Sequence, residues 1–395
     1  MAKVALLYES LGRSRGGIEA WIYHASEELV SQGHEVTIYH MQASIPGDAA
    51  PEKVKIISLK EPKAVPGFYF LKIACSLKYQ LRRELQQYDA IWARSFTMAW
   101  AASKIAGRGK VLYINAAPQS YYGRKPFSAN LKKYPGFKGF IRALSIELYY
   151  DISWLIERRA IRRCPNAYLS KSRKDQTTAH FRINLKPYEF IIVSAGVNAR
   201  QFYPSPEKWN GLEKMRLITV CRLAPDKNIQ CIIDAVSKLV AEKVPVHLTI
   251  VGEGPFEPEL RKQVRDLKVD PYIDFAGRQE NIGVWYRQNH LFVLPSLYEG
   301  FGSVYIEAMA SGLPCIALSS CNGKYPVAAD EIIDHGINGL LMKENDSLEL
   351  AALIRGVIRD PQSYGFMSQK ARDKAVEEFA WRGVIEKLLS FQMIN

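Results

Sequence analysis

The chain alternates short apolar runs with longer helical stretches almost from end to end, in two successive series. The first series of runs is 4–8, 35–40, 54–58, 90–93, 111–115, 167–170 and 190–194. The second is 217–221, 247–251, 273–276, 291–295, 314–318 and 339–342, with a further short run, Glu331-Ile332-Ile333, also read as a strand. Runs rich in Val, Ile and Leu fit strands buried on both faces, and the stretches between them are long enough for helical crossovers. Two such series predict an α/β protein of two doubly wound domains. Length agrees, because 395 residues exceed the ~250–300 at which a single core usually divides. The expected boundaries are a first domain over 1–196 and a linker over 197–210, which holds two prolines and little periodicity. A second domain follows over 211–378, and a last helix over 379–395 is free to cross back to the first domain. Ligands of open parallel sheets sit at the carboxyl ends of the strands, so a cleft between two such domains is the expected site.

Charge divides along the same line. Residues 1–200 hold 31 Lys and Arg against 15 Asp and Glu, whereas residues 201–395 hold 22 against 25. Two surfaces of different electrostatic character imply different partners, or a first half that is simply well solvated. The six cysteines form no C-x-x-C pair, which speaks against a zinc ribbon or a disulfide scaffold and for a reducing compartment. No export signal is expected, since Met1-Ala2-Lys3 runs directly into the short apolar stretch 4–8. No run approaches the ~18 apolar residues of a spanning helix. The expected location is cytoplasmic, with any membrane contact peripheral and on the inner face.

The densest chemical signal is 294–314, LPSLYEGFGSVYIEAMASGLP. A strand ends at Pro295, a loop carries Glu299, and a helix begins near Ser303. Gly300 and Gly302 let backbone N–H groups approach a ligand, and a helix start offers unpaired N–H groups to a diphosphate. Glu299 and Glu307 can border one ligand and accept hydrogen bonds from sugar hydroxyls. A plain strand–loop–helix with two solvated acids has the same spacing. Arg222 and Lys227 follow the run 217–221 and can reach the same strand-end region, where two cations suit a pyrophosphate.

Taken together these segments resemble the retaining, nucleotide-sugar-dependent glycosyltransferases of family 4, which have the GT-B fold of two Rossmann-like domains. The resemblance rests on Glu299, seven residues and Glu307 within EGFGSVYIEAMASGLP. It rests also on Gly16-Gly17-Ile18-Glu19 with the stretch 32–37, on Ala195-Gly196-Val197-Asn198, on Arg222 to Asn228, and on Val251-Gly252-Glu253-Gly254-Pro255. It implies a transferase that moves a hexose-type sugar from a nucleoside-diphosphate sugar to a glycan or lipid-linked acceptor, in cell-envelope or exopolysaccharide synthesis. The resemblance assigns catalysis to Glu299, Arg222, Lys227 and Asn115. Donor contacts fall to Gly16, Gly17, Glu253, Arg278, Phe301, Gly302, Ser303, Val304 and Glu307, with Glu307 on the nucleotide ribose.

No D-x-D triplet, H-E-x-x-H or P-loop sequence is present, so neither a bridging metal nor a further cofactor is expected. Two departures from the family pattern stand out. The family usually has a histidine where this chain has Asn115, and an asparagine cannot carry charge or shuttle a proton. A catalytically weakened, nucleotide-sugar-binding partner subunit is therefore the alternative function. The connection 322–331 is also longer than usual, which implies an atypical sugar pocket.

In residues 139–163, Ile141, Leu144, Leu148, Ile152, Leu155 and Ile156 recur at helical spacing, and Arg158, Arg159, Arg162 and Arg163 gather at the end. One reading is a helix packed on the core with a basic tip. The other is docking on anionic lipid headgroups. Nucleic acid is not expected, because no recognition motif accompanies the charge.

Overall fold

The opening run forms β1 (Lys3–Leu7), four of whose five side chains are buried, and it pairs in parallel on both edges. A computed structural model describes residues 1–9, 17–41, 52–60, 69–115, 136–207 and 209–394. Six further strands join β1: β2 (Glu35–His40), β3 (Lys55–Ser58), β4 (Ala90–Ala93), β5 (Val111–Asn115), β6 (Asn166–Tyr168) and β7 (Phe190–Ile192). Their order is β3-β2-β1-β4-β5-β6-β7, parallel throughout. The second series gives β8 (Met215–Val220), β9 (Val246–Val251), β10 (Ile273–Gly277), β11 (Leu291–Leu294), β12 (Cys315–Leu318) and β13 (Gly339–Met342), ordered β10-β9-β8-β11-β12-β13 and again parallel. The second order is that of a Rossmann-type doubly wound sheet, with its switch point between β8 and β11.

The chain divides into two units, one of residues 1–194 with 384–395 and one of residues 195–383. The second core shows how the pattern works. The helix Ile229–Ala241 buries Ile229, Ile232, Ile233, Val236 and Leu239 at spacings of one, three and four, a single stripe laid on Leu217, Leu248 and Ile250 of the sheet in one apolar cluster. In the first unit the helix Phe96–Ala106, capped by Ser95 Oγ accepting from Met98 N, joins Ala93 and Tyr113 in one apolar cluster.

Two expectations meet a different structure, and a third is met only in part. Residues 331–333 are not a strand. Ala329–Glu331 is a 3₁₀ turn, and the N–H groups of Ile332 and Ile333 both donate to Ala329 O, at 3.0 and 2.8 Å. Local bonding thus satisfies backbone that a strand would have paired sideways, while both isoleucines remain buried. The stretch 197–210 belongs to the second unit: Val197 bridges Ala380, Phe202 and Trp209 are buried, and Arg372 donates to Phe202 O at 2.7 Å. Finally, the long helix Gly136–Arg163, open to a core-packed or an exposed reading, buries Ile156 of its periodic stripe and half-buries Ile152. Ala143, Ser153, Ile156, Ala160 and Ile161 face inward, whereas Ile141, Leu144, Leu148 and Leu155 are exposed.

Candidate active site

Backbone bonds join the loop after β8 to those after its neighbours. Cys221 N donates to Val251 O at 3.1 Å and Leu223 N to Glu253 O at 3.0 Å, while Leu297 N donates to Asp226 O at 2.8 Å. Gly252 has φ 135°, and a Cβ there would stand 1.9 Å from Cys221 O; one on Gly254 would stand 2.2 Å from Leu223 O. Only glycine lets the two loops touch. Asn228 takes a left-handed conformation (φ 55°) at the start of the helix Ile229–Ala241. Its buried amide donates to Pro295 O at 3.0 Å and to Asn345 Oδ1 at 2.7 Å, which fixes the turn Pro225–Lys227 beside the loop that follows β11.

This scaffold brings Lys227 Nζ within 2.7 Å of Glu299 Oε2, with both side chains mostly buried. Asp226 lies between the two cations, Oδ1 3.7 Å from Arg222 Nη2 and Oδ2 3.9 Å from Lys227 Nζ. The result is a line of alternating charge, Arg222–Asp226–Lys227–Glu299, along the switch point of the sheet. Arg222 is the open end of that line, with its side chain 68% exposed. An ammonium has three donors, so Lys227 can hold Glu299 with one and an oxyanion with the others.

The loop that carries Glu299 is itself tightly built. Glu299 N donates to Pro326 O at 3.2 Å, and Glu299 bridges Val327. Gly302 caps the helix Ser303–Ala310 in the left-handed region (φ 83°). A Cβ there would meet the Tyr305 ring at 2.5 Å and Glu299 Cγ at 3.1 Å. Tyr305 is buried and donates to Leu294 O at 2.6 Å. Phe301 packs edge-on against Phe379, so the backbone of this turn, not its aromatic ring, is what a ligand can reach. Glu307 is half-buried. The Tyr286 hydroxyl stands 3.4 Å from Glu307 Oε2 and 3.4 Å from Val304 O. Burial first, then the Glu307 carboxylate, holds the Tyr286 phenol well above its ordinary pKa, so it remains a donor. Glu253 and Arg278, after β9 and β10, approach each other at 3.6 Å with both side chains at least half exposed. Exposed pairs contribute little on their own, which leaves both groups free to exchange partners.

Thus the residues expected from 222 to 307 all follow the carboxyl ends of β8, β9, β10 and β11, four adjacent strands. Asn115 and Gly17 belong to the first unit, and Gly16 lies outside the described residues. Asn115 ends β5 fully buried, and neither atom of its amide is hydrogen-bonded.

Residues 15–184 match the family model Glycosyltransferase Family 4, and residues 214–360 match the model Glycosyl transferases group 1. The chain is a glycosyltransferase of the family 4 type. An uncharacterized glycosyltransferase of Haemophilus influenzae is 26% identical over 98% of this chain and 100% of its own length. Anabaena HepE, solved in complex with UDP and glucose, superposes with a TM-score of 0.72 at 18% identity over 99% of both chains. WaaG, a glycosyltransferase involved in lipopolysaccharide biosynthesis, does so with a TM-score of 0.68 at 15% identity over 99% of this chain and 100% of its own. The fold is GT-B.

Several structurally notable residues escape sequence reasoning, three of them beside the groups just described and one, Arg94, in the other unit. Asp226 and Asn228 lie inside the Arg222–Asn228 stretch but carry no signal of their own. Tyr286 sits on the short helix Ile282–Arg287, outside every quoted motif. In the first unit Arg94 directly follows β4. It is 4% exposed, its guanidinium lies 4.5 Å over the Trp21 ring, and Nη1 reaches Ile114 O at 3.5 Å. Burial pushes its pKa down to about 10 and that of nearby Tyr8 up to about 12. A charged residue immediately after a buried strand was the available clue.

Proposed function

We propose that the enzyme transfers a hexose-type sugar from a nucleoside-diphosphate sugar to a glycan or lipid-linked acceptor, with retention at the anomeric carbon and without a metal ion, in cell-envelope or exopolysaccharide synthesis. The observation that carries this reading is the Arg222–Asp226–Lys227–Glu299 line at the β8/β11 switch point. Two cations there suit a diphosphate, and they stabilise the charge that develops on it as the glycosidic bond breaks. The acceptor hydroxyl attacks on the face from which the diphosphate departs, and a departing phosphate oxygen takes the hydroxyl proton. Glu299 orients the sugar, and Glu307, held by Tyr286, accepts from the ribose. UDP and glucose bound to Anabaena HepE support a uridine-diphosphate donor, and the role of WaaG in lipopolysaccharide synthesis supports an envelope glycan.

The test is a thermal-shift screen of nucleotide sugars, followed by turnover with candidate acceptors and NMR of the product linkage. A selective rise in Tm with one donor, and a product of unchanged anomeric configuration, is the expected outcome. An inverted product removes the retaining mechanism, and no donor binding at all removes the reading.

Asn115 favours a second reading, a donor-binding subunit without turnover, because its amide cannot move a proton. Its buried and unbonded donor and acceptor fit a hydroxyl-binding role equally well. Activity gained by Asn115→His from an inert wild type would support the second reading.

A further inference from the structure

The connection that follows β12 is closed at its neck by one side chain. Ser319 Oγ donates to Asp330 Oδ1 and Ser320 N to Asp330 Oδ2, each at 2.6 Å. Inside the neck Cys321 and Asn322 both take left-handed conformations, with φ 45° and 57°. Residues other than glycine seldom adopt that region, and they keep it only where their surroundings impose it. The surroundings do so here. Gly323 N and Tyr325 N both donate to Ser320 O, at 3.0 Å each, and Val327, Ala328 and Ala329 are buried. The connection is a closed loop of the Ω type, with its ends joined and its far side packed inward.

This loop is tied to both partners of the Lys227–Glu299 pair. On one side Glu299 N donates to Pro326 O at 3.2 Å, and Glu299 bridges Val327. On the other, the Tyr325 hydroxyl accepts from Asn345 N at 3.4 Å and donates to Glu344 Oε2 at 3.3 Å. Lys324 Nζ pairs with the same Glu344 oxygen. Asn345 Oδ1 in turn accepts from Asn228 Nδ2 at 2.7 Å, and Asn228 directly follows Lys227. The Tyr325 ring packs, as does Leu297, on the core of the second unit. The loops after β8, β11, β12 and β13 thus close a ring of contacts: Lys227 to Glu299, Glu299 to residues 326–327, Tyr325 to Asn345, and Asn345 to Asn228.

An ion pair between side chains of two separate loops keeps its geometry only as well as the loops are held. We propose that Asp330 and Tyr325 are positioning residues for the Lys227–Glu299 pair. Asp330 keeps the neck shut, so that residues 326–327 hold the backbone of Glu299. The Tyr325 hydroxyl holds Asn345, and through it the turn that carries Lys227. The catalytic part of this inference rests on the sugar transfer proposed above, and the mechanical part rests on the contacts alone. A loosened loop misplaces the group that orients the sugar, which lowers the rate of transfer more than the affinity for the nucleotide.

The experiment compares the full wild-type chain with Asp330→Ala and with Tyr325→Phe, which keeps the packed ring. Amide hydrogen exchange without ligand reads the mechanical coupling. Exchange should quicken about three- to tenfold over 296–302 in Asp330→Ala, and by as much over 226–229 and 343–346 in Tyr325→Phe. Strands β1 and β2 should exchange as in wild type in both. With the nucleotide sugar selected by thermal shift, each variant should lose about tenfold in kcat while KM for that donor stays within about twofold. The Tm rise with UDP should match that of wild type. Asp330→Asn keeps one acceptor at the neck and should fall between Asp330→Ala and wild type. A merely structural role lowers Tm and leaves kcat unchanged well below the transition, and that result overturns the proposal. So does wild-type exchange over 296–302 in Asp330→Ala or over 226–229 in Tyr325→Phe, or a loss carried wholly by KM. Should no nucleotide sugar bind the wild type, the transfer reading falls, while exchange still decides whether this loop holds the pair.

Discussion

The ammonium of Lys227, on the turn that follows β8, lies 2.7 Å from Oε2 of Glu299, on the loop that follows β11. These strands are neighbours in the sheet though they are separated by two intervening ones in the chain, so the pair joins the two loops that flank the switch point.

Replacing Lys227 by Met removes the cation and leaves the Glu299 carboxylate in a mostly buried position with no partner of its own size. The expected loss is about 10²–10³-fold in kcat, the usual cost of deleting a donor to developing negative charge. Glu299→Gln keeps a neutral acceptor beside Lys227 and should fold as wild type. Steady-state kinetics with the donor selected by thermal shift decides it. Full activity in Lys227→Met would remove this residue from the chemistry.

Gly302→Ala tests the turn itself. A methyl group must accept a left-handed φ of 83° and stand 2.5 Å from the Tyr305 ring. Strain and overpacking together cost about 2–4 kcal/mol, and they displace Glu299 as they relax. Chemical denaturation should show the stability loss, with activity falling further than stability alone explains. An unchanged midpoint would mean that the turn is looser than its geometry indicates.

Much of this was legible in the chain itself. The thirteen short apolar runs of the two series are strands because Val, Ile and Leu runs bounded by polar turns have few alternatives inside a wound sheet. Arg222, Lys227, Glu299 and Glu307 were legible because their spacing from strand ends fixes where they emerge. Ile332 and Ile333 were misread because apolar side chains report burial, not the direction of backbone bonds. The helix Gly136–Arg163 was ambiguous because periodicity shows that a stripe exists and cannot say what covers it. Ala143, Ala160 and Ile161 pack inward with less apolar bulk than Leu144, Leu148 and Leu155 leave outside. Asp226 matters through Arg222 and Lys227 beside it, whereas Asn228 matters through partners at 295 and 345, and separations of that size leave no local trace.

His290 gives a pH signature. Burial first, then the Arg216 guanidinium, pushes its pKa from 6.5 down to about 4. Arg216 N approaches Nδ1 at 3.2 Å and Arg216 Nη2 approaches Nε2 at 2.6 Å. The folded state therefore refuses a proton that the unfolded chain accepts. Its contribution to stability is complete above pH 6.5 and is lost as pH falls from 6.5 to about 4, since stability rises with pH wherever the unfolded state binds more protons. Tm measured across that window should fall for wild type and fall less steeply for His290→Gln. Parallel curves would assign the acid sensitivity to other groups.

The C-terminal helix Trp381–Ile394 offers a stability test through a contact within the first unit. Gln392 Oε1 accepts from Trp92 Nε1 at 2.7 Å, and its Nε2 donates to Lys110 O at 2.8 Å. Gln392→Leu leaves both groups without a partner, at a cost of about 2–4 kcal/mol. Differential scanning calorimetry of the two proteins should show the lower midpoint, with donor binding retained. A midpoint equal to wild type would mean that water replaces the amide.

That same amide sets an order of events during synthesis. Trp92 waits for a bond acceptor 300 positions downstream, so the first half of the chain leaves the ribosome with an indole N–H and a carbonyl still to be satisfied. Residues 195–383 emerge and can fold in the interval, which makes the lobe translated second the one able to finish first.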